Sequence, residues 1–449
     1  MTHYTNLLFS DEELLHEQFL RTDLGQLYLA IPFDKLAQTF PAPPSEISGM
    51  GRPPWFDVKG GIALQFLKHY LRMSDAMLIR GINTDWSMQL FCGLSLKPGE
   101  VIKDEDLPST WRSYLGQSLD IAALQMEFAS TWKHYMEHTQ IGTQDATCYE
   151  SYIEYPTAIK ILWQCSEKVY EIIQKARKQH KLRKTRCNFK KQQQAYLAYQ
   201  KRRKKPRRLE KKTRKKLLKF LLRLLTLYNE LVDKHQVKIS IRQLAKLKTI
   251  VKVYEQQHKQ LYGNPSEQIK NRIVSLSKPY VRPIVRGKEV KSVEFGAKVN
   301  KLQVDGISFI EHLSFDAFNE TTRYISGIRL QRTLFGQCTH HAGDAIYASN
   351  KNRSYSTAQN IQTNFVPKGK EKEAYKTQAK EMRCILNKQR STVLEGSFGN
   401  EKNHYLLNKI KARNKETETC WIFFGMMTAN ASIISQRMQQ LANIHQRAA

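Results

Sequence analysis

The sequence predicts an α+β or α/β chain: an all-helical N-terminal domain, then a mixed sheet with flanking helices, interrupted by a basic helical insertion. Three observations predict it. Apolar residues recur at helical spacing through about residue 135. The period then changes to Thr-, Tyr- and Ile-rich strand-like runs, first at "TQIGTQDATCYESYIEYPT" (139–157) and again after residue 280. Between them, from Lys175 to Arg223, Lys and Arg supply nearly half the residues and Glu210 is the only acid.

The first helix follows a Ser-x-x-Glu box, Ser10 and Glu13. "TFPAPPSEISGMGRPPWF" is a Pro-, Gly- and Ser-rich connector. A second helix carries Ile62, Leu64, Phe66, Leu67, Tyr70 and Leu71, and further helices are expected over 86–93 and 119–135. In the first strand Thr143, Asp145, Thr147 and Tyr149 share one face. Pro156-Thr157 ends that stretch and starts a helix over "AIKILWQCSEKVYEII". The basic segment runs straight into "LLKFLLRLLTLYNELV", so it reads as helices with one basic and one buried face. "VEFGAKVNKLQVDGISFIEHLSF" is two strands joined at Asp305-Gly306, a hairpin signal. A helix over 324–334, strands ending at "HHAGDAIYA" and "IQTNFVP", and helices broken near Gly396 and Gly399 complete the reading. The expected domains are 1–135, 136–164 with 269–449, and the insertion 165–268.

With 449 residues, 41% hydrophobic and 10% aromatic, the chain can bury a sizeable core in two or three domains. Its net charge of +31 points to polyanionic partners, nucleic acid before an anionic membrane surface. "MTHYTNLLFSDEELL" has no features of a signal peptide. The most apolar run, "CWIFFGMMTANASII" (420–434), is too short to span a bilayer and suits a buried helix. Seven scattered cysteines without a CxxC read as reduced thiols in a cytoplasmic protein. "CTHH" (338–341) lacks a second ligand pair for zinc. "PKGKEKE" lacks the Ser/Thr and spacing of a P-loop, so ATP is not implied. Trp132, Trp163 and Trp421 read as core residues.

Across 321–370 Asp344 is the only acid, flanked by Arg323, Arg329, Arg332, Lys351, Arg353, Lys368 and Lys370. An aspartate after glycine is ordinarily a turn residue. Here, however, one strand carries Asp145, another ends near Asp344, and a later helix holds Glu395. Three converging carboxylates repel one another unless they surround cations. Hard oxygen donors favour Mg²⁺, with Mn²⁺ as its substitute, over zinc. Two such ions about 4 Å apart stabilise the attacking and leaving oxygens of an in-line phosphoryl displacement.

These segments, "DATCYESYIEYPT", "YVRPIVRGKEVKSVEFGAKVNKLQVDGISFIEHLSFDAFNE", "GDAIYASNKNR", "LEGSFGNEKNHY" and "KIKARNKETETCWIFFGMMTANA", resemble in order the RNase-H-like DDE transposases of bacterial insertion sequences, in the IS-four/IS-five type of group. "GRPPWFDVKGGIALQFLKHY" is similar to that group's amino-terminal domain. The resemblance implies an RNase-H-like mixed sheet and a metal-binding catalytic triad of Asp145, Asp344 and Glu395 holding two ions. It also implies cleavage of the element's inverted-repeat ends, joining to target DNA, and at least a dimer at synapsis. Lys402, seven residues after Glu395, matches a lysine that contacts transposon-end DNA. The family arginine four residues before the glutamate is Ser391 here, and the nearest arginine is Arg390. Arg353, Arg390 and the basic run Lys201, Arg202, Arg203, Lys204, Lys205, Arg207 and Arg208 are the other expected DNA contacts. The competing expectation is a transposase-derived DNA-binding protein that no longer cuts.

Overall fold

The computed structural model describes residues 11–43, 54–183, 186–237, 239–264, 266–285, 293–369 and 373–448. Ser10 of the expected capping box and most of the Pro/Gly-rich connector lie outside them. The chain divides into two compact units: Met1–Tyr152 with Ala297–Ser314 and Phe318–Ala449, and Ile153–Gly296 with Phe315–Ala317.

The first unit begins with helices α1 (Asp11–Leu20), α2 (Asp23–Leu29), α3 (Phe33–Gln38), α4 (Val58–Leu71), α5 (Asp75–Ile82), α6 (Trp86–Phe91), α7 (Leu107–Gln117) and α8 (Ile121–Trp132). Helix α4 is the centre of this group. The Asp57 carboxylate caps it by accepting from the Gly60 N–H at 2.7 Å. Every residue from Gly60 to His69 is buried, as expected of a helix packed on all sides. Its glycine at 61 lets the Trp111 ring press against the backbone, since a Cβ there would sit 2.2 Å from that ring.

Strand β1 (Ile141–Ser151) is the axis of the sheet. The strands that complete the sheet in this unit are β3 (Val293–Val304), β4 (Ile307–Ser314), β5 (His340–Gly343), β6 (Gln362–Thr363) and β7 (Lys409–Ile410), and their order is β4-β3-β1-β5-β6. β5 runs parallel to β1, with Ile141 opposite His340 and Gln144 opposite Gly343; β6 is parallel to β5, and β7 joins β1 in parallel at Glu150–Ser151. β3 and β4 form the antiparallel hairpin expected at Asp305-Gly306. Both turn residues have positive φ, 50° and 79°, the conformation a two-residue hairpin loop demands. The protein is therefore a mixed α+β chain, dominated by helices, with a mixed sheet.

Three helical stretches follow in the first unit ahead of its C-terminal helix: α13 (Tyr324–Phe335), α14 (Asn350–Ala358), and a long run made of α15 (Glu373–Gln389), a π-helical turn (Arg390–Leu394) and α16 (Glu395–His404). The break expected near Gly396 and Gly399 is absent; α16 passes through both. Two facts explain it: an exposed helical glycine costs only about 1 kcal/mol, and Glu401 in the same helix is buried and bonded. The C-terminal helix α17 (Lys415–Ala448) contains the apolar "CWIFFGMMTANASII", buried as expected, with Phe424 5.4 Å from Phe66 and Phe423 6.3 Å from Phe128. No helix among the described residues is long and apolar enough to cross a membrane.

The second unit holds α9 (Ala158–Gln179), α10 (Phe189–Lys201), α11 (Arg207–His235) and α12 (Ile241–Tyr262), with β2 (Pro283–Val285) paired to the first residues of β3. Leu217, Leu218, Leu221 and Leu224 of α11 are buried in one cluster with Leu162, Cys165 and Val169 of α9 and Ile250 and Val253 of α12. Trp163 belongs to this core, stacked on Tyr196 at 4.9 Å. Trp132 and Trp421 are likewise buried, in the first unit.

Candidate active site

Asp145 and Asp344 are brought side by side by the β1–β5 pairing. The last registered pair is Gln144 with Gly343, and each aspartate is the next residue of its chain. The two carboxylates are held alike. Asp145 Oδ1 accepts from the Ala146 N–H at 2.7 Å, and Asp344 Oδ1 accepts from the Ala345 N–H at 2.8 Å. Asp344 follows its strand rather than ending it, and caps the short 3₁₀ turn Ala345–Tyr347. Its sequence setting as a turn residue and its place beside Asp145 are both real.

Glu395 opens α16, and Arg390 ties all three acids together. Arg390 Nη1 donates to Glu395 Oε1 at 3.1 Å and to Asp145 Oδ2 at 3.4 Å, and its Nη2 stands 4.0 Å from Asp344 Oδ1. The π turn makes this reach possible. In an α-helix Arg390 and Glu395 would point away from each other, but a π turn closes i to i+5. The Ser391 and Thr392 hydroxyls both donate to the Lys388 carbonyl, as side chains do where a helical ladder is disturbed.

The site is graded in exposure. The Asp145 side chain is 17% exposed, those of Asp344 and Glu395 about half. Burial pushes the Asp145 carboxyl up to about 6; nearby Glu320 and Asp344 add to this, while the Ala146 N–H and Arg390 oppose it. Lys298 neutralises Glu320 at 2.6 Å. Asp145 thus lacks positive charge even with the guanidinium present.

All three donors are carboxylates, the chemistry a hard divalent cation takes. Among the described residues no three His, Cys, Asp or Glu side chains are already gathered as a ligand set; Arg390 stands where the charge would be. The donors fit Mg²⁺ in kind, and an ion would enter at the guanidinium's expense. At "CTHH" the Cys338 thiol is pushed up to about 12 by burial, and His341 is buried, its Nε2 3.0 Å from Gln144 Oε1. Both are absorbed in local packing.

The other expected contacts separate into two groups. Lys402 is half-buried, donating to Thr147 Oγ1 at 3.0 Å and 5.7 Å from the Tyr149 ring centre. The face of β1 bearing Asp145, Thr147 and Tyr149 therefore meets the Arg390–Lys402 stretch as one surface. Arg353 is half-buried too, donating from Nε to the Ala348 carbonyl at 3.0 Å, with its guanidinium 5.4 Å from the Phe365 ring. Lys201, Arg202, Arg203, Lys204, Lys205, Arg207 and Arg208, in the second unit, are all exposed at the α10–α11 junction.

Sequence reasoning missed the support beneath the acids. Lys301 of β3 is fully buried and donates to Glu401 Oε1 at 2.7 Å and Ser397 Oγ at 2.6 Å. The Tyr149 hydroxyl donates to the other Glu401 oxygen. Burial pushes the Lys301 pKa down and Glu401 opposes it. These bonds pin α16, and with it Glu395 and Lys402, to β1 and β3. No signal singled it out: the strand "KVNKLQV" also carries Lys298, Asn300 and Gln303, so Lys301 looks like one polar residue among several. Comparison with known proteins yields no match: no family model, no curated protein and no solved structure resembles the chain.

Proposed function

We propose that the chain is an RNase-H-like DDE transposase, a Mg²⁺-dependent DNA endonuclease and strand transferase of an insertion sequence. The observation that carries this reading is the grouping of Asp145, Asp344 and Glu395 around one guanidinium, from adjacent parallel strands and the helix that follows them. The sheet order β4-β3-β1-β5-β6, a hairpin on one side of β1 and parallel strands on the other, supports an RNase-H-like mixed sheet.

Asp145, Asp344 and Glu395 would hold the two Mg²⁺ ions, which would supply Lewis-acid activation of the phosphodiester and of the attacking water or 3′-hydroxyl. Arg390, released from the acids, has two N–H groups to offer a phosphate oxygen pair. Being five residues before Glu395, it takes the place of the family arginine by virtue of the π turn. Lys402 sits two turns on along the same surface and can reach a neighbouring phosphate. The buried Lys301–Glu401–Tyr149 cluster fixes the helix carrying them, so the acids need not reorganise when substrate arrives.

The test is nicking of end-labelled DNA from the flanks of the gene, with Mg²⁺ or Mn²⁺, by wild type and by Asp344→Asn. Metal-dependent cuts at a defined position, lost in the variant, are the expected result. If both proteins bind and neither cuts, the chain is instead a transposase-derived DNA-binding protein, the reading that Arg390's neutralising position favours.

A further inference from the structure

Helix α11 breaks two rules of helix electrostatics over its first half. Arg208, Lys211, Lys212, Lys215, Lys216 and Lys219 fall at helical spacing on one face, over about 16 Å of axis. Arg208–Lys212, Lys211–Lys215, Lys212–Lys216 and Lys215–Lys219 are all like-charge pairs four apart, which destabilise a helix. They also crowd toward the N-terminal end, where the macrodipole disfavours cations. All six are exposed, and none forms an ion pair with an acid among the described residues. Glu210, the nearest acid in sequence, lies on the opposite face. The leucines at 217, 218, 221 and 224 already secure the helix from its other side, so folding does not explain this charge.

The six cations line an open groove of about 480 Å³ together with Tyr262, the last residue of α12. Tyr262 is half exposed, with Lys215 Nζ 5.5 Å from its ring centre. It also ends an aromatic ladder along α12: Tyr254 to His258 at 5.9 Å and His258 to Tyr262 at 4.8 Å. Of these rings only Tyr262 lines the groove, Tyr254 being packed on the core; a row of cations beside one exposed ring is the pairing that holds a nucleic-acid strand, phosphates along the cations and a base face on the ring.

We propose that this groove binds single-stranded DNA, with the α11 cations tracking the phosphates and an unpaired base stacked on Tyr262. A base in a duplex keeps its face covered by its neighbours, so the ring selects a strand already opened. The naming of the strand as DNA rests on the transposase reading; the groove itself does not use the carboxylates. It lies C-terminal in sequence to the Lys201–Arg208 run, and Arg208 is the one residue they share.

The test is fluorescence anisotropy with the full chain carrying Asp344→Asn, so that no strand is cut, against a labelled oligothymidylate of about 20 nucleotides and a duplex of equal length. Tyr262→Ala weakens single-strand binding by about five- to a hundred-fold and leaves duplex binding unchanged, while Tyr262→Phe binds as the parent. The triple variant Lys212→Gln, Lys216→Gln, Lys219→Gln lowers the slope of log K against log salt by about 2. Unchanged single-strand affinity in Tyr262→Ala, or equal losses for strand and duplex, overturns the proposal. Strand binding with these sensitivities in a protein whose wild type never nicks DNA upholds the groove and overturns only the catalytic reading.

Discussion

Asp145 shows what a buried carboxylate costs a protein when no cation lies beside it closely enough to offset the burial. It is the most buried of the three acids, and burial holds its carboxyl up at about 6 rather than the ordinary 3.8. A raised carboxyl pKa means the folded state keeps a proton that the unfolded chain has already lost. The associated stability is complete below about pH 4 and is lost as pH rises through 6. In metal-free protein at pH 7.5, Asp145→Asn should therefore raise stability by roughly 1–3 kcal/mol, measured by urea denaturation, with the gain gone by about pH 4. An equal or lower stability at pH 7.5 would mean that Arg390 compensates the charge fully. If the proposed ion binds at Asp145, added Mg²⁺ should reverse the order, since an amide is a far weaker ligand than a carboxylate; no reversal would count against the proposed metal site. Of the residue-level features, the three acids were legible as types: their chemistry is explicit, and strand order brings them together. Arg390's position was not, because it depends on a π turn that has no sequence signature of its own.

At the scale of elements, α16 combines a fixed side and an open side. Ser397 and Glu401 bond to Lys301 on the fixed side. On the other, Gly396 and Gly399 would meet nothing within 4 Å if either gained a Cβ. Nothing among the described residues requires glycine there, and each costs helix stability. Gly396→Ala and Gly399→Ala should each stabilise the protein by about 0.5–1 kcal/mol in thermal melts and, if the proposed DNA nicking holds, reduce it. Unimpaired nicking would show that substrate backbone does not approach that face. The same helix marks where pattern reading failed. Two glycines near a glutamate look like a break, because sequence cannot show a buried lysine on another strand holding the helix together. The β3–β4 hairpin was legible for the opposite reason: its Asp-Gly turn is dictated locally, by two residues that must adopt positive φ.

For the whole molecule, two histidines bind the first unit's stability to pH. His69 in α4 and His341 in β5 are both fully buried and pushed down to about 3 by burial. Each stays neutral in the fold, while an unfolded histidine takes up its proton near 6.5. Stability should hold above 6.5 and fall as pH drops toward 3, each histidine contributing up to about 1.4 kcal/mol per pH unit in that window. Chemical denaturation between pH 7 and 4 measures it. His341→Gln should flatten the slope by about one proton; an unchanged slope would place the proton uptake elsewhere. Sequence showed both histidines but not their burial, which is set by contacts between distant segments: His69 Nδ1 lies 2.8 Å from the Tyr405 carbonyl oxygen.

The π turn from Arg390 to Leu394 changes the phase of the rod that contains it. An α-helix rotates by roughly 100° for each residue, so a single added residue re-phases everything after it. Residues before Arg390 and after Leu394 therefore belong to two different helical wheels, although the rod is continuous from Glu373 to His404. Aligned without a gap against a relative lacking the extra residue, this helix keeps either its arginine or its glutamate in step, never both.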